Sequence, residues 1–318
     1  MKRLQLIACR SHPKLARKIS RLLKIPLTPL EIKAFADGEI YVRIKKKVRG
    51  DDIFLLQSVY TPVNEHFMEL LITIDALKRS SAGRINVVCP YFCYSRQDRK
   101  TASREPITAK LAANLLTKAG ADRLITVDFH ADQIQGFYDI PVDHFVGYPQ
   151  FAKYFANKKY KNPVIVSPDI GGVKKSAKMA ELLDVPLVII DKRRKEHNRA
   201  EAVNIIGEVK GKTAIILDDI IDTAGTICAA AKILKEKGAK EIIICATHGL
   251  LSGNGYEKLL KCPASLILLL DTIPLNKKKT KKIKIISLAP LFAKIIKRVH
   301  REKSLGALFT WENKPVSL

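Results

Sequence analysis

No stretch of this 318-residue chain is apolar for long enough to span a bilayer. The densest apolar run, residues 266–270, is short, ends at Asp271 and reads as a buried strand. A strand-like LQLIAC segment follows the first three residues directly, without the layout of a secretory signal, so a cytoplasmic protein with no membrane partner is expected. The six cysteines are scattered, mostly in apolar runs. Cys89 and Cys93 have three residues between them and no second pair completes a zinc site, so reduced, buried thiols are expected. Short-period repeats and low-complexity tails are also absent. Acids are scarce beside bases, 31 against 56, giving a net charge of +25. Such a charge suits phosphorylated small molecules or nucleic acid. No aromatic-studded basic stripe or helix-turn-helix pattern accompanies it, so nucleic acid is not the expected partner. We read the excess as lysine spread over solvated faces, its densest run, 277–282, being a loop before a strand at 283–287.

What is there is a regular alternation. Apolar runs at 4–9, 40–44, 53–56, 84–89 and 123–127 read as strands, with helical spacing at 12–23, 64–80 and 107–119. On the 64–80 helix Phe67, Leu70, Leu71, Ile74 and Leu77 share one face. The second half repeats the rhythm, with strands at 164–167, 187–190, 214–217, 241–246 and 265–270 and helices at 173–183, 226–237 and 289–299. Alternating β and α units imply an α/β chain of parallel sheets covered on both faces. About five strands in each half predict two similar domains, 1–145 and 146–318, each with a mainly parallel five-stranded sheet flanked by helices. The join is placed near 144–149, the least patterned stretch. In such sheets ligands bind beyond the carboxyl ends of the strands, which singles out the polar residues after each apolar run.

Residues 212–234, KTAIILDDIIDTAGTICAAAKIL, carry the strongest local signal. A buried strand reads to Leu217, and Asp218 and Asp219 sit where it is expected to end. Asp222, Thr223, Ala224, Gly225 and Thr226 then lead into a helix. Backbone N–H groups of such a loop and first turn form an anion site, Gly225 allows close approach, and the two threonines donate to phosphate oxygens. Acids repel phosphate, so Asp218 and Asp219 should face sugar hydroxyls or a metal. The bland alternative is a βα turn with an acidic cap. Just upstream, Gly207 to Thr213 imitates a P-loop but is one residue short and precedes a strand, so it is read as a turn.

Four further clusters follow strands or turns. The segment PYFCYSRQDRKTASR, 90–104, carries Arg96, Gln97, Arg99, Lys100 and Arg104. It is either a solvated loop or a basic arm that closes over a polyphosphate. Phe35, Asp37, Gly38 and Glu39 form a turn into a strand, with Gly38 suited to a positive φ. His130 lies in DFHADQIQGF, and Asp169 in VSPDIGG. Lys192 and Arg194 lie in IDKRR.

The DDIIDTAGT order closely resembles the phosphoribosyl-pyrophosphate (PRPP) motif of the type I phosphoribosyltransferase fold. The FADGE, YSRQDRK, DFHADQIQGF and DKRR segments, in that order, resemble PRPP synthases, also called ribose-phosphate pyrophosphokinases. The likeness runs from LIACRSHPKLA to RVHREKSLGALF, nearly the whole chain. It implies transfer of pyrophosphate from Mg²⁺·ATP to the C1 hydroxyl of ribose 5-phosphate. It implies that Phe35, Asp37, Gly38, Glu39, Arg96 and Gln97 bind ATP, and that Lys192, Arg194, Arg99 and Lys100 are catalytic. It gives Arg194, Asp218, Asp219, Asp222, Thr223, Ala224, Gly225 and Thr226 to ribose 5-phosphate, and His130 and Asp169 to the metal. In this family the FADGE loop serves a neighbouring subunit's ATP site, which implies a homo-oligomer, a hexamer.

Departures from the family pattern fall at Lys47 and Gly306, where serines are usual at or beside a regulatory phosphate site, at Ala102, and at Ile170 after Asp169. Two alternatives stay open on sequence: a catalytically weak regulatory relative, and a transferase that consumes PRPP. In the second, FADGE and YSRQDRK have no task.

Overall fold

The computed structural model describes residues 2–156, 158, 160–193, 202–277 and 280–309. These form two compact units that divide between Val146 and Gly147; residues 271–274 and those from Ser287 onward return to the first.

The first unit begins with β1 (Leu4–Ala8), α1 (Pro13–Leu23) and a hairpin of β2 (Leu30–Ala34) and β3 (Ile40–Ile44). It continues with β4 (Asp52–Leu56), α2 (Val63–Arg79), β5 (Arg84–Cys89), α3 (Thr108–Ala119), β6 (Arg123–Val127) and β7 (Val142–Phe145). Five strands pair in the order β1-β4-β5-β6-β7, all parallel, while β2 and β3 form a separate antiparallel ribbon. Every residue of β4 is buried, as a strand covered on both faces requires. Phe67, Leu70, Ile74 and Leu77 of α2 reach the same core, and Leu71 is half-buried against it.

The second unit holds α4 (Tyr148–Ala156), β8 (Pro163–Ser167), α5 (Val173–Leu183), β9 (Leu187–Arg193), β10 (Ala202–Ile206) and β11 (Thr213–Ile221). It adds α6 (Gly225–Glu236), β12 (Glu241–Gly249), α7 (Gly255–Lys261), β13 (Leu266–Leu270) and β14 (Ile283–Ile286). Its sheet has seven strands, ordered β10-β9-β8-β11-β12-β13-β14, parallel except where β10 pairs with β9. The expected five parallel strands are all there, the strand expected at 283–287 is the edge strand β14, and only β10, at the other edge, is an addition. In β10 the sequence AVNII carries a polar residue at its centre, too weak an apolar run to read as a strand. The stretch expected to be least patterned is bounded closely by β7 and α4, whose Tyr-Pro start hides a helix with Phe151 and Phe155 fully buried.

The chain then returns to the first unit through α8 (Ala289–His300) and the short α9 (Gly306–Phe309). A buried carboxylate pins α8. Asp52 accepts two hydrogen bonds from the Arg84 guanidinium, both 2.8 Å, one from Asn86 at 2.9 Å, and pairs with His300 Nδ1 at 2.8 Å. Burial alone would raise the Asp52 carboxyl; the hydrogen bonds, first from Arg84 and then from His300, hold it below the usual carboxylate range. Asp52 thus favours folding above the unfolded carboxylate value, and that contribution is lost as pH falls through the lowered one. Replacing His300 by Ala leaves Arg84 and Asn86 in place and removes one charge-assisted bond. It should lower stability by about 2 kcal/mol, read as an earlier urea midpoint at unchanged slope.

Candidate active site

The parallel sheets direct the expected residues to their carboxyl edges. In the first unit, β5 leads into the basic segment. Its base is buried, with Tyr91, Phe92, Cys93 and Ser95 in or against the core, while Arg96, Arg99 and Lys100 are exposed. Gln97 is more engaged than its sequence suggests: its side chain accepts from the Thr108 hydroxyl at 2.6 Å, and its carbonyl accepts from Ala109 N–H at 3.1 Å. This fastens the arm to the start of α3. Glu105 caps the outer turn by accepting from the backbone N–H groups of Thr101 and Ala102, 2.7 and 2.8 Å. On the neighbouring strand β6, His130 emerges exposed just past the sheet, and Gln133 donates to Asp98 of the basic arm at 3.2 Å. The two loops are therefore adjacent.

The FADGE turn is the tip of the β2–β3 ribbon. Gly38 has φ +94°, and its N–H donates to Phe35 O at 3.0 Å, while Phe35 N–H donates to Glu39 O at 2.8 Å. Asp37 accepts from Glu39 N–H at 3.0 Å. Phe35 is 56% exposed and touches Tyr41 edge to face, ring centroids 6.0 Å apart. A large aromatic face held out on a rigid turn is available to stack on a planar base.

In the second unit, Asp169 follows β8, Lys192 lies near the end of β9 and Asp218 lies within β11, three strands adjacent in the sheet. Asp169 is exposed, with one carboxylate oxygen accepting from Gly172 N–H at 2.9 Å. Lys192 is the penultimate residue of β9 and pairs with Val203 of β10. Arg194 lies outside the described residues. The expectation that the strand ends before the two acids needs correction. β11 continues through Asp218 and Asp219 to Ile221, because β12 keeps pairing with it as far as Ile221 opposite Gly249. On its other side the pairing with β8 stops at Ile216. The acids therefore stand on a strand that outruns one neighbour, with that flank open. Partial burial, then the Asp219 carboxylate and more weakly Asp169, push the half-buried Asp218 carboxyl well above its ordinary range. Two adjacent carboxylates, with Asp169 acting on them more weakly, call for hydroxyl donors or a cation.

The loop from Asp222 to Thr226 then turns into α6. The positive φ falls on Ala224, at +61°, and not on Gly225. A left-handed alanine costs about 1–2 kcal/mol and persists where surrounding packing imposes it. Non-glycine residues with positive φ also occur at Tyr94 and Arg104 of the basic segment and at Asp128 beyond β6, so such strain recurs on these site loops. A Cβ on Gly225 would meet nothing nearer than Thr223 Oγ1 at 3.9 Å. Its space is thus open to a ligand. The N-cap residue of α6 is Ala224, whose side chain cannot cap the first turn, and helix amides at such a start suit an anion.

Sequence reading missed the residue that sets this loop. A Cβ on Gly255, the first residue of α7, would stand 2.5 Å from Asp222 O and 3.3 Å from the Thr223 carbonyl carbon. Only glycine lets α7 press against the loop's backbone, and no local pattern announces a contact 33 residues away in the chain. Gly255→Ala should displace the loop and raise the KM for a phosphate-bearing ligand by about tenfold or more, with a smaller change in kcat. Steady-state kinetics at saturating co-substrate would check it.

Magnesium, which the family resemblance implies, fits the donors of the second unit. They are carboxylate oxygens, the ligands it prefers. Among the described residues no three His, Cys, Asp or Glu side chains are grouped to hold a metal. The protein would offer one or two carboxylates and leave the rest of the shell to substrate phosphates and water, a common arrangement for this ion. His130, an imidazole, is a less natural ligand for so hard a cation.

Among the described residues no helix is long and apolar enough to cross a membrane. Residues 4–120 match the family described as the N-terminal domain of ribose phosphate pyrophosphokinase, and residues 198–310 the phosphoribosyl synthetase-associated domain. The chain is 52% identical over 307 residues to the ribose-phosphate pyrophosphokinase of Bacillus caldolyticus, covering 96% of this chain and 98% of that protein. It is 49% identical over 310 residues to that of Bacillus subtilis, covering 97% and 98%. A crystal structure of phosphoribosylpyrophosphate synthetase from Mycobacterium smegmatis superposes with a TM-score of 0.89 at 44% identity, covering 95% of this chain and all of that one.

Proposed function

The chain belongs to the ribose-phosphate pyrophosphokinase family, and we propose that it transfers pyrophosphate from ATP to ribose 5-phosphate, giving PRPP and AMP. The observation that carries the reading is the strained loop at the start of α6, whose N-cap is an alanine, placed beside an acidic pair on an overrunning strand. It offers amides to a phosphate and carboxylates to the hydroxyls of the same sugar.

The loop amides with Thr223 and Thr226 hold the 5-phosphate, and Asp218 and Asp219 accept from ribose hydroxyls. Ordering the sugar in this way aims its C1 oxygen at the β-phosphorus, and such positioning supplies much of the rate. The C1–O–P bond forms as the bond from the β-phosphorus to the α-phosphate oxygen breaks, and AMP leaves. Charge spreads over the non-bridging oxygens as this happens. Lys192 and Arg194, with Arg99 and Lys100 of the basic arm, meet that charge. Phe35 stacks on the adenine, Asp37 and Glu39 accept from its amine, Gly38 shapes the turn, and Arg96 and Gln97 contact the nucleotide. A magnesium ion bound at Asp169, with His130 in the role the family implies, would neutralise phosphate charge.

Purified protein given ATP, ribose 5-phosphate and Mg²⁺ should release AMP in step with PRPP. Release of ADP, or of AMP without ribose 5-phosphate, would sink the reading. We also propose a homo-oligomer, a hexamer. The exposed apolar stripe of Ile107, Leu111 and Leu115 along one face of α3, with Met68 exposed on α2, supports assembly through that face. A cytoplasmic location and a two-domain division at 145/146, each half phosphoribosyltransferase-like, belong to the same proposal.

A further inference from the structure

The basic arm between β5 and α3 is tied across itself at two levels. At its base, the Gln97 side chain accepts from the Thr108 hydroxyl at 2.6 Å and its carbonyl from Ala109 N–H at 3.1 Å. The Gln97 N–H donates to Tyr94 O at 2.9 Å. At the outer end, one carboxylate oxygen of Glu105 gathers three donors. They are the Thr101 N–H at 2.7 Å, the Thr101 hydroxyl at 2.8 Å and the Ala102 N–H at 2.8 Å. Between the two ties run Asp98, Arg99 and Lys100, and Asp98 accepts from Gln133 at 3.2 Å. Arg99 and Lys100 thus leave the chain in a three-residue span held at both ends. The returning chain is constrained as well, with Arg104 at φ +67° and Pro106 directly after Glu105.

Residues 101–104 are all exposed, so burial does little to hold the outer turn. Charge opposes it: Arg96, Arg99, Lys100 and Arg104 share the arm with only Asp98 and Glu105, and like charges favour an extended chain. The tie that remains is the Glu105 carboxylate, whose bonds to N–H groups are of the stronger, charge-assisted kind. The Thr101 hydroxyl first, then the amides of Ala102 and Thr101, hold its carboxyl below the usual carboxylate range.

We propose that Glu105 is a positioning residue for pyrophosphoryl transfer: by closing the outer turn it presents Arg99 and Lys100 as a formed cationic surface before the nucleotide arrives. This rests on the proposed function, in which those two side chains meet the charge of the transferring group. An arm that arrives unformed must be ordered during the reaction, at a cost in backbone entropy for each residue fixed. With the turn already closed that cost falls on folding, and the reacting complex is spared it. Ribose 5-phosphate is held in the same reading by the loop at the start of α6, so Glu105 has no part in its affinity.

Trypsin cleavage after Arg99 in the free, full-length protein measures how often this span opens. Glu105→Ala should speed that cleavage by about tenfold, the equivalent of roughly one hydrogen bond to a charged acceptor. Thr101→Ala removes one donor of three and should speed it less. Glu105→Gln keeps an acceptor oxygen and should stay within about threefold of wild type. The melting temperature should move little in all three, because the turn is exposed. In the assay with ATP, ribose 5-phosphate and Mg²⁺, Glu105→Ala should lower kcat by about tenfold and leave the KM for ribose 5-phosphate within about twofold. Across the three variants kcat should fall in step with the rise in cleavage. An arm no easier to cut in Glu105→Ala, or a kcat that does not follow the cleavage rate, would overturn the inference. If the wild type released no AMP, the proposed reaction would fail and this role with it, while the cleavage rates would still show whether Glu105 closes the turn.

Discussion

Lys192→Ala should lower kcat by about two to three orders of magnitude while changing ribose 5-phosphate affinity only a few-fold. β9 outruns β8: Ser167, the last residue of β8, pairs with Ile189, and Lys192 lies three residues further on, roughly 10 Å along the strand. That places its backbone past the carboxyl end of the neighbouring strand, beside the loop that carries Asp169. In the proposed reading the 5-phosphate is fully charged before reaction and is held apart, at the start of α6. Charge on the transferring group instead redistributes only as the bonds change, and a lysine that meets that charge acts mainly on the transition state. Steady-state kinetics with ATP saturating give the split between kcat and KM, and isothermal titration with ribose 5-phosphate gives the affinity. Equal losses in turnover and affinity would show that Lys192 serves ground-state binding alone.

The parts of the fold that were legible share a cause. Strands buried on both faces must be apolar throughout, so β5 and β6 stand out in sequence at the bounds they have in the structure, 84–89 and 123–127. The ribbon strand β2 and the edge strand β10 lack that cover, and their mixed sequences LEIKA and AVNII do not separate from loop. α4 was hidden by a Gly-Tyr-Pro start that resembles a join. The extension of β11 was hidden because a run of acids reads as a strand end, whereas the backbone of β12 pairs with it regardless of side chain. Site residues were legible where chemistry is local, as in the loop at Asp222 to Thr226. They were not legible where it depends on contacts between distant segments: Gly255 against Asp222, and Gln97 against α3.

Asp218→Asn should abolish most activity, about a hundredfold or more, and at the same time make the free protein more stable at neutral pH. Partial burial and the neighbouring carboxylates of Asp219 and Asp169 disfavour the charged form of Asp218 and raise its folded-state value. In the unfolded chain the same group ionises near the ordinary aspartate value of about 3.9. Between those two values the folded protein binds more protons than the unfolded one, so this group makes stability fall as pH rises from about 4 through the raised value. The deficit persists above it. An asparagine has no charge to desolvate, so the variant's advantage should be absent below about pH 4, grow through that window and then level off. The relation inverts with ligand. Ribose hydroxyls or a cation favour the ionised form, so ribose 5-phosphate with Mg²⁺ should raise the melting temperature of the wild type much more than that of the variant. Thermal denaturation from pH 4 to 8, with and without these ligands, measures both effects. A variant less stable than wild type at pH 7 without ligand, or an equal ligand-induced shift in the two proteins, would show that Asp218 is a structural acid and not the sugar's partner.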